Sequence, residues 1–210
     1  MHQFNVLKIT ASLLLLFNLF FLFKIETAFA ATADTCNACH AAEVRQTTKA
    51  PQLAGQSALY LKKQLLQFRN DERGAMLDDL TGQQMAAMAK TLTDADIENL
   101  AMFYSQQPAS VEPVADDKRD AIQLDQGRRR YIGSCGACHG AKAEGNAALN
   151  APALQILGTN YLQLQLRNFR GGRRGSSKTD KPGRQMALMS RQLTDEDIEA
   201  VSAYIGAGLP

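Results

Sequence analysis

Cys36-Asn37-Ala38-Cys39-His40 returns 99 positions later as Cys135-Gly136-Ala137-Cys138-His139, and these two pentapeptides decide how the chain is read. C-x-x-C-H is the attachment signature of a c-type haem. Its two thiols add to the porphyrin vinyl groups, and the adjacent imidazole reaches the iron. Two copies predict two covalently bound haems c, one on Cys36 and Cys39 and one on Cys135 and Cys138, with His40 and His139 as iron ligands. All 4 cysteines of the chain are used, so none remains for a disulfide, a zinc site or a nucleophile. A redox dithiol or half a zinc site would share the C-x-x-C spacing. A histidine directly after the second cysteine, in both copies, argues against either.

The 3 histidines settle a second question. His2 lies in a segment expected to be removed, which leaves no spare imidazole for the far side of either iron. The distal ligand is then a methionine, a weaker donor such as Lys or Asn, or an open position. Thioethers suit haem iron. Of the internal methionines, only Met85/Met88 and Met186/Met189 repeat, and a ligand-bearing segment should be duplicated with its haem. Spacing alone leaves open which member of each pair binds.

That duplication extends along the chain. At an offset of 101 residues, Pro51 matches Pro152, Leu53 matches Leu154, and Tyr60-Leu61 matches Tyr161-Leu162. Gln64-Leu65 matches Gln165-Leu166, and Phe68-Arg69 matches Phe169-Arg170. Leu92-Thr93-Asp94 and Asp96-Ile97-Glu98 match Leu193-Thr194-Asp195 and Asp197-Ile198-Glu199. Leu61, Leu65 and Phe68 fall at i, i+4 and i+7, as do Leu162, Leu166 and Phe169, the spacing of one apolar helix stripe. Thr93-x-x-Asp96 and Thr194-x-x-Asp197 resemble capping boxes. No segment alternates as a strand would. The expected fold class is all-α, with two tandem haem domains at 31–107 and 120–210. Residues 108–119, with two prolines, five charges and little apolar pattern, read as a linker.

The N-terminus reads as an export signal over 1–30. Lys8 precedes an apolar run of 15 residues, Ile9 to Phe23, and Ala28-Phe29-Ala30 fits the small-x-small cleavage rule. The run is short of the roughly 20 residues a spanning helix needs. Haem is joined to this motif outside the cytoplasm, so the mature protein is expected in a periplasm. Membrane association is then expected only through partners, unless the N-terminal segment is retained. Residues 31–110 carry 7 Lys and Arg against 9 Asp and Glu, and residues 111–210 carry 14 against 11, a dipolar chain of net −2 and +3. The basic residues lack aromatic interleaving, so no nucleic-acid partner is expected. Domains of about 80 residues bury only a modest core, which makes each porphyrin part of that core.

Taken together, both C-x-x-C-H motifs, Pro51-Gln52-Leu53-Ala54-Gly55-Gln56, Tyr60-Leu61-x-x-Gln64-Leu65 and the Met-x-x-Met…Leu-Thr-Asp block resemble the cytochrome c4 family. These are periplasmic dihaem electron carriers built from two cytochrome-c domains. The resemblance covers most of residues 31–210. It implies that Met85 and Met186, seven positions before Leu92 and Leu193, are the distal ligands. It also implies that the carbonyls of Pro51 and Pro152 accept a hydrogen bond from the ligating imidazoles. It further implies single-electron transfer between respiratory partners, from a quinol-oxidising complex to a terminal oxidase, with no catalysis of its own. The alternatives are the cytochrome subunit of a flavin- or quinone-dependent dehydrogenase, or a haem enzyme. One departure stands out. The second copy has a helix ahead of its motif, near Asp120 to Tyr131, whereas the first has only Ala31 to Thr35 before Cys36. A basic stretch, Arg167 to Arg184, reads either as a solvated loop or as a recognition patch for an acidic partner.

Overall fold

The computed structural model describes residues 33–110 and 120–209. The expected export signal and residues 111–119 of the expected linker lie outside the described residues. The chain divides into two compact units, 1–39 and 40–210. In the first, residues 33–39 are helical (α1).

The second unit repeats one three-helix arrangement. In its first half lie α2 (Arg45–Thr48), α3 (Ala58–Arg69), α4 (Leu80–Ala89) and α5 (Asp94–Gln106). In its second half lie α6 (Ala121–Ser134), α7 (Gly136–His139), α8 (Thr159–Arg170), α9 (Lys181–Ser190) and α10 (Asp195–Gly206). α4 and α5 pack on α3, and α9 and α10 pack on α8 in the same way. Among the described residues there is no strand, only an isolated bridge between Asn146 and Ala151. The all-α reading holds.

Local chemistry starts each helix where the pattern placed it. Asp79 and Asp180 each accept a bond from a glycine N–H two residues inside α4 and α9 (Gly82 and Gly183). Thr93 and Thr194 each form a complete capping box with Asp96 and Asp197. Such reciprocal bonds satisfy two of the backbone donors that a helix start leaves orphaned.

In the second half, Tyr131, Ile156, Leu157, Leu162, Val201, Tyr204 and Ile205 form the centre of one apolar core. α6, which closes that core against α10, lies close to the segment anticipated from sequence. The two helices touch at Gly127: a Cβ there would sit 2.1 Å from the Ala200 carbonyl oxygen. Only glycine allows that approach. In the first half, Phe68, Ala86 and Ala89 pack together with Met85 against them, and Leu61, Ile97, Leu100 and Tyr104 are also buried.

Candidate haem sites

Both motif histidines are fixed in the same way. His40 donates from Nδ1 to the Pro51 carbonyl at 2.8 Å, and His139 to the Pro152 carbonyl at 3.0 Å. A carbonyl only accepts, so Nδ1 carries the proton and the Nε2 lone pair is left over for a metal. Burial holds both imidazoles below their ordinary titration range, which keeps them neutral and able to ligate. The residue after His139 is anchored as well: the Tyr131 hydroxyl donates to the Gly140 carbonyl at 2.6 Å.

The cysteines do not look like a redox pair. Burial pushes the Cys135 thiol up to about 11, whereas reactive C-x-x-C thiols are held low. Cys36 is half-buried, and Cys39 and Cys138 are exposed. Among the described residues no group of three or more His, Cys, Asp or Glu side chains could hold a metal ion.

Met85 is partly buried against Phe68, Ala86 and Ala89, while Met88 on the same helix is 47% exposed. Met85 is thus the inward member of its pair. In the second copy Met186 and Met189 are both partly buried, so exposure does not separate them.

Between the two halves lies an arrangement that the sequence reading missed. Arg73 is buried, with its guanidinium 4.3 Å above the Phe68 ring; Arg174 is buried 4.4 Å above Phe169. Arg73 donates to Gln64 of its own half at 2.7 Å, and across to Gln165 at 2.9 Å and the Tyr161 hydroxyl at 3.1 Å. Arg174 mirrors it, donating to Gln165, and across to Gln64 and the Tyr60 hydroxyl, each at 2.8 Å. The contact is isologous, each half offering the same three side chains to the other. Gln56 adds a pair of bonds to the backbone of Ala153, at 2.9 and 3.0 Å. The signal was available: the 101-residue offset that aligns Gln64 with Gln165 also aligns Arg73 with Arg174.

The Arg167–Arg184 stretch therefore has more than one role. Arg174 belongs to the interior. Arg173 pairs with Asp78, Arg170 with Asp195 and Arg167 with Glu199, at 2.5, 2.5 and 3.3 Å. Only its C-terminal part remains an open cationic surface.

The comparisons agree with this geometry. The family model described as Cytochrome c matches residues 25–107 and 124–208. Cytochrome c4 of Thiocapsa roseopersicina is 31% identical over 159 residues, 74% of this chain and 77% of its own. The crystal structure of reduced recombinant cytochrome c4 from Pseudomonas stutzeri is similar with a TM-score of 0.69 at 29% identity, covering 88% of this chain and 98% of that one. A thiosulfate dehydrogenase electron acceptor from Thiomonas intermedia (strain K12) is 29% identical over 165 residues, 75% of this chain and 70% of its own. The chain belongs to the cytochrome c family, and within it to the dihaem cytochromes c4. It carries two covalently bound haems c and transfers electrons.

The residues present fit those groups. Each motif imidazole keeps one nitrogen for iron. Each half also brings a buried guanidinium whose described hydrogen bonds all go to neutral oxygens, and a haem supplies carboxylates that would balance such a charge.

Proposed function

We propose that this chain is exported, loses residues 1–30 and works in the periplasm as a single-electron carrier between a quinol-oxidising complex and a terminal oxidase. It is organised as haem domains at 31–107 and 120–210 joined by 108–119. The observation that carries the reading is the duplicated imidazole geometry: two histidines, two proline carbonyls, and two Nε2 atoms left for iron.

Cys36, Cys39, Cys135 and Cys138 hold the two groups covalently. His40 and Met85 would ligate the iron of the first, and His139 and Met186 that of the second. The bound group supplies the ferrous–ferric couple. An imidazole and a thioether held to the iron would tune that couple. The proline carbonyls fix the imidazole planes. The thioethers favour the reduced form. Iron held by two protein donors in each half would leave no position for a substrate, which supports a carrier and not an enzyme. No helix among the described residues is long and apolar enough to cross a membrane, which suits a partner reached by diffusion.

A second reading has a specific observation behind it. The similarity to a thiosulfate dehydrogenase electron acceptor supports a role as the electron sink of a periplasmic dehydrogenase.

The test is purification from a host competent in cytochrome maturation, followed by haem counting and redox titration. Two haems per chain, two reversible one-electron steps and no rapid binding of carbon monoxide to the reduced protein are the expected results. Rapid carbon monoxide binding would instead favour an enzyme with an open haem. Reduction by a thiosulfate dehydrogenase, with none by a quinol-oxidising complex, would move the chain to the second reading.

A further inference from the structure

α4 and α9 are equivalent helices, each carrying one of the methionines proposed to bind iron, yet their outer faces differ in kind. Positions 77, 80 and 83 in the first copy are Leu, Leu and Gln; their equivalents 178, 181 and 184 are Lys, Lys and Arg. Leu77 is 90% and Leu80 71% exposed. Lys178, Lys181 and Arg184 are exposed too, and none has a side-chain partner among the described residues. The contrast continues past the helix ends. Lys90 is neutralised by Asp71 at 2.8 Å. Its equivalent, Arg191, faces solvent without a described partner, because Gly172 stands where the first copy has Asp71.

On α9, Lys181, Arg184 and Leu188, with Arg191 just beyond, follow the 3-4-3 spacing of one helix face. Every other arginine of the basic stretch is engaged, so the unpaired charge is concentrated on this strip. Helix stability does not explain it. Cations at a helix N-terminus oppose the macrodipole, and Lys181 and Arg184 both lie in the first half of α9.

We propose that this strip is the docking face for an acidic redox partner that exchanges electrons with the second haem, while the corresponding apolar face of α4 takes no part in that contact. Charge complementarity identifies the partner's chemistry: a protein presenting a cluster of carboxylates. Its association is fast at low ionic strength and slows as salt screens the pair. The strip lies on the helix that also carries Met186, opposite its buried residues Gly183, Ala187 and Ser190, so a partner seated there contacts the element proposed to hold the second iron. The proposal rests on the reading of the chain as an electron carrier and deepens it.

The experiment uses the full-length ferrous holoprotein, labelled with nitrogen-15 and titrated with poly-L-glutamate at low salt. Amide shifts confined to residues 176–192 are expected, lost in the Lys178→Glu/Lys181→Glu/Arg184→Glu variant. The same variant should lower the second-order rate of oxidation by ferricyanide roughly tenfold at low ionic strength, with the two rates converging near about 0.5 M salt. Shifts centred on Arg128 and Arg129, shifts spread over both halves, or an unchanged ferricyanide rate would each overturn the proposal. An unaltered haem spectrum and reversible reduction of both haems in the variant show that it folds and keep the carrier reading separate. Failure of reversible reduction in the parent protein would sink that reading instead.

Discussion

Arg73 and Arg174 occupy equivalent positions and make equivalent bonds, whereas Leu77 and Lys178, four residues further along each copy, share only their exposure. The difference follows from what each position touches. An isologous contact uses every interaction twice, so Arg73 meets the duplicates of Gln64 and Tyr60 while Arg174 meets Gln64 and Tyr60 themselves, and a change on one side leaves a buried donor or acceptor unmatched on the other. Leu80 on α4 and Lys181 and Arg184 on α9 are exposed, and the two cations have no side-chain partner among the described residues. Nothing among the described residues ties Leu77 to Lys178. Duplication thus preserved the connection between the two halves and left their surfaces free to diverge.

The strongest way to break this picture is to remove the groups around which both copies are built. The Cys36→Ala/Cys39→Ala/Cys135→Ala/Cys138→Ala variant should show no cooperative thermal transition near that of the parent, because each half would lose the largest apolar body in its core. A near-native melting temperature would show that the polypeptide alone carries the fold. Next in size is the ligand test. Replacing Met85 or Met186 singly should remove about half of the weak near-red sulfur-to-iron band of the oxidised protein, and Met88 or Met189 changes should leave it intact. A variant at Met189 that removes the second half would correct the assignment in the copy where burial does not discriminate.

The arginine pair sharpens the comparison further. Arg73→Leu and Arg174→Leu each strand oxygens of Gln64, Gln165 and a tyrosine, and each should cost about 1–3 kcal/mol in denaturant unfolding of the holoprotein. The two costs should be nearly equal, and the double variant less than additive, since both guanidinium groups use the same glutamines. Markedly unequal costs would mean that the network is symmetric in geometry but not in energy. Gly127→Ala probes the second copy alone. The contact at the Ala200 carbonyl must open to admit a methyl group, an overpacking cost of about 1–3 kcal/mol.

Much of this was legible in the chain itself, and the exceptions have a common cause. The helix starts were readable because capping is local: Thr93 and Asp96 lie three residues apart, as do Thr194 and Asp197. The motif histidines were readable as candidate ligands because thioether chemistry fixes their spacing to the cysteines. The bond from Arg174 to Tyr60 spans 114 residues, and no local pattern reports a contact of that range. The basic stretch misled for a related reason. Its seven cations look alike in sequence, but tertiary pairing engages Arg167, Arg170, Arg173 and Arg174 and leaves Lys178, Lys181 and Arg184 to solvent.

The smallest expected effect separates the two capping boxes. The Asp96 carboxyl sits at the surface, and hydrogen bonds from Thr93 alone hold it below the usual range. For Asp197, burial works against ionisation, but the Arg130 fork, at 3.1 and 2.7 Å, and the Thr194 N–H more than offset it. A depressed folded-state value means that the stabilisation is complete above the ordinary carboxylate range, near pH 4, and is lost as pH falls through the lower folded value. Arg130 is about one-third exposed, so solvent screening trims the effect, and Asp197→Asn should cost about 1 kcal/mol at pH 7. The curves of variant and parent should converge at pH values below the folded titration. Asp96→Asn should cost less across the same range, because it loses no ion pair. Equal losses for the two variants at pH 7, or a loss at Asp197 that persists undiminished in acid, would show that Arg130 contributes packing and not charge to the second copy's last helix.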